Sequence, residues 1–230
     1  KYYLKKLGAK KIKLIGNLKF SQSENEKVLV NHELKKFIKS KKIWCASSTH
    51  ENEEQICALA HKELKKKYKN LLTIIIPRHI ERTGLIIKEI NKLGLKTHLH
   101  EPKKMIKLDT DIYIVNTYGM TKKFYDFSPN VFLGGSLINH GGQNPLEAAR
   151  FGCNILHGPN VKNFEEIYRF LNKQKISKKI LNQNYMIKEL NRLFLKKTNS
   201  KKTRKKINIL GKNILKNTYD ELNLILRDAI

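Results

Sequence analysis

From Gly134 to Glu147 the sequence reads Gly-Gly-Ser-Leu-Ile-Asn-His-Gly-Gly-Gln-Asn-Pro-Leu-Glu, a cluster of residue types suited to binding an anion. Two glycine pairs, Gly134-Gly135 and Gly141-Gly142, remove the Cβ atoms that would keep a ligand from the backbone. Asn144 falls where a helix N-cap belongs, Pro145 at the first helical position and Glu147 at the third, as in a capping box. A glycine-rich loop feeding a helix offers unpaired N–H groups and the positive end of the helix dipole. The predicted chemistry is to hold a phosphate and the sugar next to it.

Two further polar clusters follow apolar runs. Pro77-Arg78-His79 comes after Leu71-Leu72-Thr73-Ile74-Ile75-Ile76, and an arginine grips phosphate bidentately. Taken alone, the tripeptide also fits an ordinary solvated strand end. Ser47-Ser48-Thr49-His50-Glu51-Asn52-Glu53-Glu54 follows Ile43-Trp44-Cys45-Ala46 and equally fits a capped helix start with acidic first-turn residues. Gly16-Asn17-Leu18-Lys19-Phe20 says little by itself, because Lys19 is one of many lysines. The phosphate loop GxxxxGK[ST] and the dinucleotide fingerprint GxGxxG are missing, so P-loop hydrolysis is not expected. Neither CxxC nor HExxH occurs, and metal catalysis has no support. No cofactor is expected.

The elements that must position these clusters alternate. Predicted strands cover 12–15, 43–46, 71–76, 96–99, 112–115, 131–133 and 154–156. Predicted helices cover 26–38, a segment beginning at Thr49, 80–93, 118–125, 145–151 and 165–172. Gly94 caps the third of these. Beyond 172 the chain is expected to be helical and basic, with amphipathic segments over 181–195 and 207–226 and a charged connector over 196–206. This order argues for a parallel sheet with helices on both faces and a ligand beyond the carboxyl ends of its strands.

The 230 residues suit one large domain or two small ones. No apolar run approaches the roughly 18 to 20 residues of a membrane helix. The opening Lys1-Tyr2-Tyr3-Leu4-Lys5-Lys6-Leu7 lacks a signal-peptide core and does not start with methionine, so the chain is expected to be a piece of something longer. Cys45, Cys57 and Cys153 match no disulfide or zinc spacing and read as reduced, partly buried thiols. The net charge of +27 suits a nucleic acid, an anionic lipid or a phosphorylated substrate, but it fits a lysine-biased composition as well.

Together, Gly16-Asn17-Leu18-Lys19-Phe20, Ala46-Ser47-Ser48-Thr49-His50-Glu51, Pro77-Arg78-His79, Gly134-Gly135-Ser136 and Gly142-Gln143-Asn144-Pro145-Leu146-Glu147 occur in one order. Gly158-Pro159 and Asn163-Phe164 follow. In this order they resemble the 3-deoxy-D-manno-octulosonic acid (Kdo) transferases over residues 12 to 172, and more weakly to the end. The resemblance implies a Rossmann-like parallel sheet, the C-terminal domain of a GT-B glycosyltransferase. It implies an interdomain connection and first strand over 1–20, a CMP-sugar-binding domain over 21–180 and basic C-terminal helices over 181–230.

Carried over by motif, Pro77, Arg78, Asn144, Pro145, Leu146 and Glu147 would bind CMP, Glu147 through ribose hydroxyls. The turn Tyr118-Gly119-Met120 would add a further CMP contact. Lys19 matches a transition-state-stabilising lysine, and the catalytic base is expected outside this chain. Departures from the family pattern are Met120 for glutamate, Gln143 for histidine, Ala148 for proline and Ile80 for proline.

The implied function is transfer of Kdo from CMP-Kdo to a lipid A precursor in lipopolysaccharide inner-core synthesis. The implied partners are an absent N-terminal domain and the anionic surface at the cytoplasmic face of the inner membrane, with no nucleic acid. The rival readings are a GT-B enzyme using a UDP-sugar and a basic nucleic-acid-binding module. The latter lacks an aromatic stacking strip or a recognised reader motif.

Overall fold

A computed structural model describes residues 2–21, 32–101, 105–196 and 199–227. Its elements are α1 (Tyr2–Lys6), a 3-10 turn (Leu18–Ser21), α2 (His32–Lys39), β1 (Lys42–Thr49), α3 (Glu53–Lys67) and β2 (Leu71–Pro77). A second 3-10 turn (Ile80–Arg82) leads into α4 (Thr83–Lys92). Then come β3 (Thr97–Leu99), β4 (Ile112–Ile114), α5 (Thr121–Phe127), β5 (Asn130–Leu133), α6 (Leu146–Arg150) and β6 (Asn154–His157). A third 3-10 turn (Lys162–Phe164) precedes α7 (Glu165–Lys173), β7 (Ser177–Lys179), α8 (Gln183–Leu195) and α9 (Ser200–Arg227).

The strands form one sheet in the order β3-β4-β2-β1-β5-β6-β7. Every pairing is parallel. Alternation along the central strands explains how both faces are covered. In β1, Ile43 and Cys45 enter the core on one face, while Trp44 and Ala46 enter the other. In β2, Leu72, Ile74 and Ile76 join the first core, and Leu71 and Ile75 the second. Helices α5, α6, α7 and α9 supply residues to the first core, and α3, α4 and α8 to the second. The continuous apolar run of β2 is thus the mark of a strand buried on both faces.

The parallel, doubly covered sheet agrees with the sequence reading, but several elements differ. Residues 9–17 form no strand. Leu14 is 85% exposed, and Gly16 lies against Ile214 of α9 rather than beside a sheet edge. With no neighbouring strand to receive its backbone hydrogen bonds, an alternating pattern alone does not make a strand. The predicted helix over 26–38 is observed from His32, and its positions 26–31 lie outside the described residues.

Ser177–Lys179 is a strand that the basic composition hid. It pairs with β6 at the edge of the sheet, where two of its three side chains face solvent. The segment read as a charged connector instead contributes the first turns of α9, a helix of 28 residues starting at Ser200. Ile207, Gly211 and Ile214 of α9 face the domain, and Leu215, Tyr219, Leu222 and Leu226 face outward. No helix among the described residues is long and apolar enough to cross a membrane. Cys45, Cys57 and Cys153 are free and fully buried, beyond the partial burial expected.

Candidate functional site

The sheet changes direction of growth at β1, which has β2 on one side and β5 on the other. Ligands of open parallel sheets bind at such a switch point, beyond the carboxyl ends of the strands. A cleft of about 370 Å³ lies there. The ends of β1, β2 and β5 supply Ser48, Ile76, Pro77, Arg78 and Leu133. The turn before α5 supplies Thr117 to Thr121, and the glycine loop with α6 supplies Gln143, Asn144, Glu147 and Arg150.

The structure therefore brings together Pro77, Arg78, Tyr118, Gly119, Met120, Asn144 and Glu147. The Arg78 guanidinium has no ion-pair partner among the described residues and is open to an anion. Glu147 is half-buried and accepts a hydrogen bond from the Thr121 hydroxyl at 3.2 Å. That bond links α6 to the start of α5. Gly119 turns the chain at a φ of 76°, a conformation that costs glycine little.

Three expected residues stand outside the lining. The Leu146 side chain is fully buried in the core. Its N–H donates to the Asn144 side chain at 3.1 Å, so Asn144 forms a local turn just before the short helix. Pro145, placed at the first helical position by the sequence reading, is the N-cap residue and is buried. Lys19 is exposed, with its Nζ 5.4 Å from the centre of the Phe164 ring. The Arg150 guanidinium, which lines the cleft, donates to the Lys19 carbonyl and thereby holds the Lys19 turn against the cleft wall. Arg150 was missed in the sequence. Its signal was its spacing, since residues three apart share a helix face and Glu147 is three residues earlier.

The glycine loop corrects the opening expectation. The amides of Gly135, Ser136 and Leu137 are not open to a phosphate, because the protein fills this cradle with its own carboxylate. Glu53 is fully buried and accepts the backbone N–H groups of Gly135 (2.7 Å), Ser136 (3.1 Å), Leu137 (3.0 Å) and His50 (3.0 Å). The glycines permit close approach to protein rather than to ligand. A Cβ on Gly134 would lie 2.4 Å from the Ser48 carbonyl oxygen, and one on Gly141 2.4 Å from Asn163 Nδ2. What reaches the cleft is the far end of the loop, Gln143 to Glu147.

The Glu53 clamp also places three histidines side by side. The His50 ring lies 4.2 Å from that of His140 and 5.5 Å from that of His79. Burial, then His140, His79, Arg78 and Arg82, push the His50 pKa down to about 4, so this imidazole is neutral at pH 7. The described residues contain no group of His, Cys, Asp and Glu that could hold a metal ion.

No protein-family model matches the chain. Curated sequences do. The chain is 29% identical over 218 residues to the 3-deoxy-D-manno-octulosonic acid transferase of Haemophilus influenzae, covering 94% of this chain and 50% of that protein. It is 30% identical to the enzyme of the same name from Aquifex aeolicus, covering 90% and 55%. With that of Rickettsia bellii the identity is 34%, over 70% of this chain and 38% of that protein. The chain spans about half the length of the first two.

Among solved structures it resembles the C-terminal CMP-Kdo binding domain of WaaA from Acinetobacter baumannii. The TM-score is 0.65 at 22% identity, covering 81% of this chain and 93% of that one. It also resembles an α,α-trehalose 6-phosphate synthase from Burkholderia multivorans, at TM-score 0.52 and 11% identity, over 85% of this chain and 44% of that one. These two likenesses concern the fold.

Proposed function

We propose that this chain, 29–34% identical to 3-deoxy-D-manno-octulosonic acid (Kdo) transferases over most of its length, is the donor-binding half of a GT-B enzyme using CMP-Kdo. The observation that carries this reading is the shared cleft of Arg78 and Glu147, with an unpaired guanidinium and a carboxylate at one switch point. Arg78 holds the phosphate through charge-assisted hydrogen bonds. Glu147 accepts from the ribose hydroxyls, and the Tyr118-Gly119-Met120 turn and Asn144 close over the nucleotide. With its side chain in the core, Leu146 acts by fixing the Asn144 turn, and Pro145 by setting its direction.

In the whole enzyme a hydroxyl of a lipid A precursor attacks the anomeric carbon of Kdo. The bond from that carbon to the phosphate oxygen breaks, and CMP departs with the electron pair. Lys19, Arg78 and Arg150 supply positive charge near the departing phosphate and lower the barrier. The hydroxyl proton goes to a base in a second, N-terminal domain. The setting proposed for the enzyme is the cytoplasmic face of the inner membrane, where the basic surface meets anionic lipid.

Titration calorimetry with CMP and UDP tests the reading. CMP is expected to bind in the micromolar to millimolar range and UDP more weakly. Absence of CMP binding, or tighter binding of UDP, overturns it.

A further inference from the structure

The three-histidine cluster is not used by the nucleotide cleft. His50 follows β1, His79 follows β2 and His140 belongs to the glycine loop after β5. Their rings therefore meet at the same carboxyl-end rim as the cleft. His79 directly follows Arg78, a residue of the cleft wall. The rings of His79 and His140 are exposed, while His50 beneath them is only 7% exposed. The His50 Nε2 is buried with no hydrogen-bond partner among the described residues. An unsatisfied buried polar atom costs roughly 1–3 kcal/mol and calls for an explanation in a native structure.

Resting on the reading of the cleft as a CMP-Kdo site, we infer that His50, His79 and His140 form a subsite for the carboxylate of the donor sugar, beyond the phosphate at Arg78. A carboxylate over the cluster meets the exposed imidazoles of His79 and His140, and displacement of the His140 ring, 4.2 Å from that of His50, gives it access to the buried His50 Nε2. The charges around the cluster favour an anion. Arg78 and Arg82 both act on His50. Two of the acids nearby are engaged elsewhere: Glu54 pairs with Arg82 at 3.0 Å and Glu53 is bound by backbone amides. The exposed Glu81, 3.4 Å from the His79 ring, is the carboxylate that the donor's displaces.

Occupation is linked to protonation. In the empty cluster burial and positive neighbours keep His50 uncharged at neutral pH. A bound carboxylate stabilises the charged ring and raises its pKa toward the ordinary histidine range. Binding then takes up protons, and affinity for the acidic sugar rises as the pH falls. CMP alone has no such carboxylate and shows no such gain.

Calorimetry on the full chain with CMP and with CMP-Kdo, for the unchanged protein and for His79→Ala/His140→Ala, tests the inference. Both substituted rings are exposed, and CMP affinity reports whether the double variant is folded. The expected result is a CMP affinity within about twofold of the unchanged protein and a CMP-Kdo affinity at least about tenfold weaker, a difference of about 1.4 kcal/mol. Repeating the titrations in buffers of different ionisation enthalpy is expected to detect proton uptake with CMP-Kdo and none with CMP. An unaltered CMP-Kdo affinity, or equal losses for the two ligands, overturns the subsite while leaving the nucleotide cleft intact. Failure of the unchanged protein to bind CMP overturns both.

Discussion

Glu53 receives the Gly135 amide at 2.7 Å, and this bond ties the start of α3 to the loop after β5. One carboxylate also satisfies Ser136, Leu137 and His50. Replacing it with alanine leaves buried N–H groups without acceptors, each costing about 1–3 kcal/mol. Glu53→Ala is expected to lose at least about 3 kcal/mol of stability, read from urea denaturation. Glu53→Gln keeps the size but turns an NH2 group toward backbone N–H donors, so it is expected to be destabilised as well. Wild-type stability in either variant counts against the clamp.

The cleft predicts an unequal pair of binding defects. Arg78→Ala removes a charge-assisted contact of about 1.5–3 kcal/mol and is expected to weaken CMP roughly 10- to 150-fold. Glu147→Ala removes contacts in which only the carboxylate is charged, at the low end of that range, and is expected to weaken CMP by about tenfold. Calorimetry distinguishes the two. A larger effect at Glu147 than at Arg78 would reverse the assigned roles.

Two glycines separate close packing from backbone freedom. A Cβ on Gly158 would lie 2.0 Å from the Ser136 carbonyl oxygen, whereas one on Gly84 in α4 meets nothing within 4 Å. Gly158→Ala must push two backbone segments apart and is expected to cost at least about 1–3 kcal/mol. Gly84→Ala is expected to add about 0.4–1 kcal/mol by restricting the unfolded chain. Urea midpoints of the two variants should move in opposite directions.

Acid is predicted to weaken the fold through its buried histidines. Burial and cationic neighbours lower His50 to about 4. Burial, opposed by hydrogen bonds to Gly158 and Asn172, lowers His157 to about 4. In the unfolded chain both take protons as the pH drops through about 6.5. The unfolded state therefore binds more protons between about 6.5 and 4, and stability falls across that window as the pH falls. Urea midpoints at pH 7.5 and 4.5 check this. His157→Gln should flatten the dependence, and an unchanged slope would contradict the assignment.

Much of the scaffold was legible because burial on both faces writes apolar runs, as in Leu71 to Ile76. β7 was not, because an edge strand with Lys178 and Lys179 in solvent carries no such run. Ile12 to Ile15 has the alternation of a strand but no edge to join. Arg78 and Glu147 could be singled out because each follows a readable element boundary. The Glu53 clamp could not, since an acidic first turn looks the same whether its carboxylate faces water or a distant loop. The glycines misled in a related way. A missing Cβ reveals that something comes close, and only the folded chain reveals that it is protein.

The pairing order of the sheet carries a consequence for synthesis on the ribosome. β1 sits at the centre, yet its two neighbours are far apart in sequence: β2 follows almost at once, while β5 waits until residues 50–129 have emerged. During that interval the β1 edge at Cys45, Ala46 and Ser47, later covered by Val131, Phe132 and Leu133, has open backbone groups. Such an edge is a template for pairing with another nascent chain. The vulnerable period ends when β5 docks, and the same event brings Gly135 to Glu53. Formation of the Glu53 clamp and covering of the β1 edge are thus completed in a single late step.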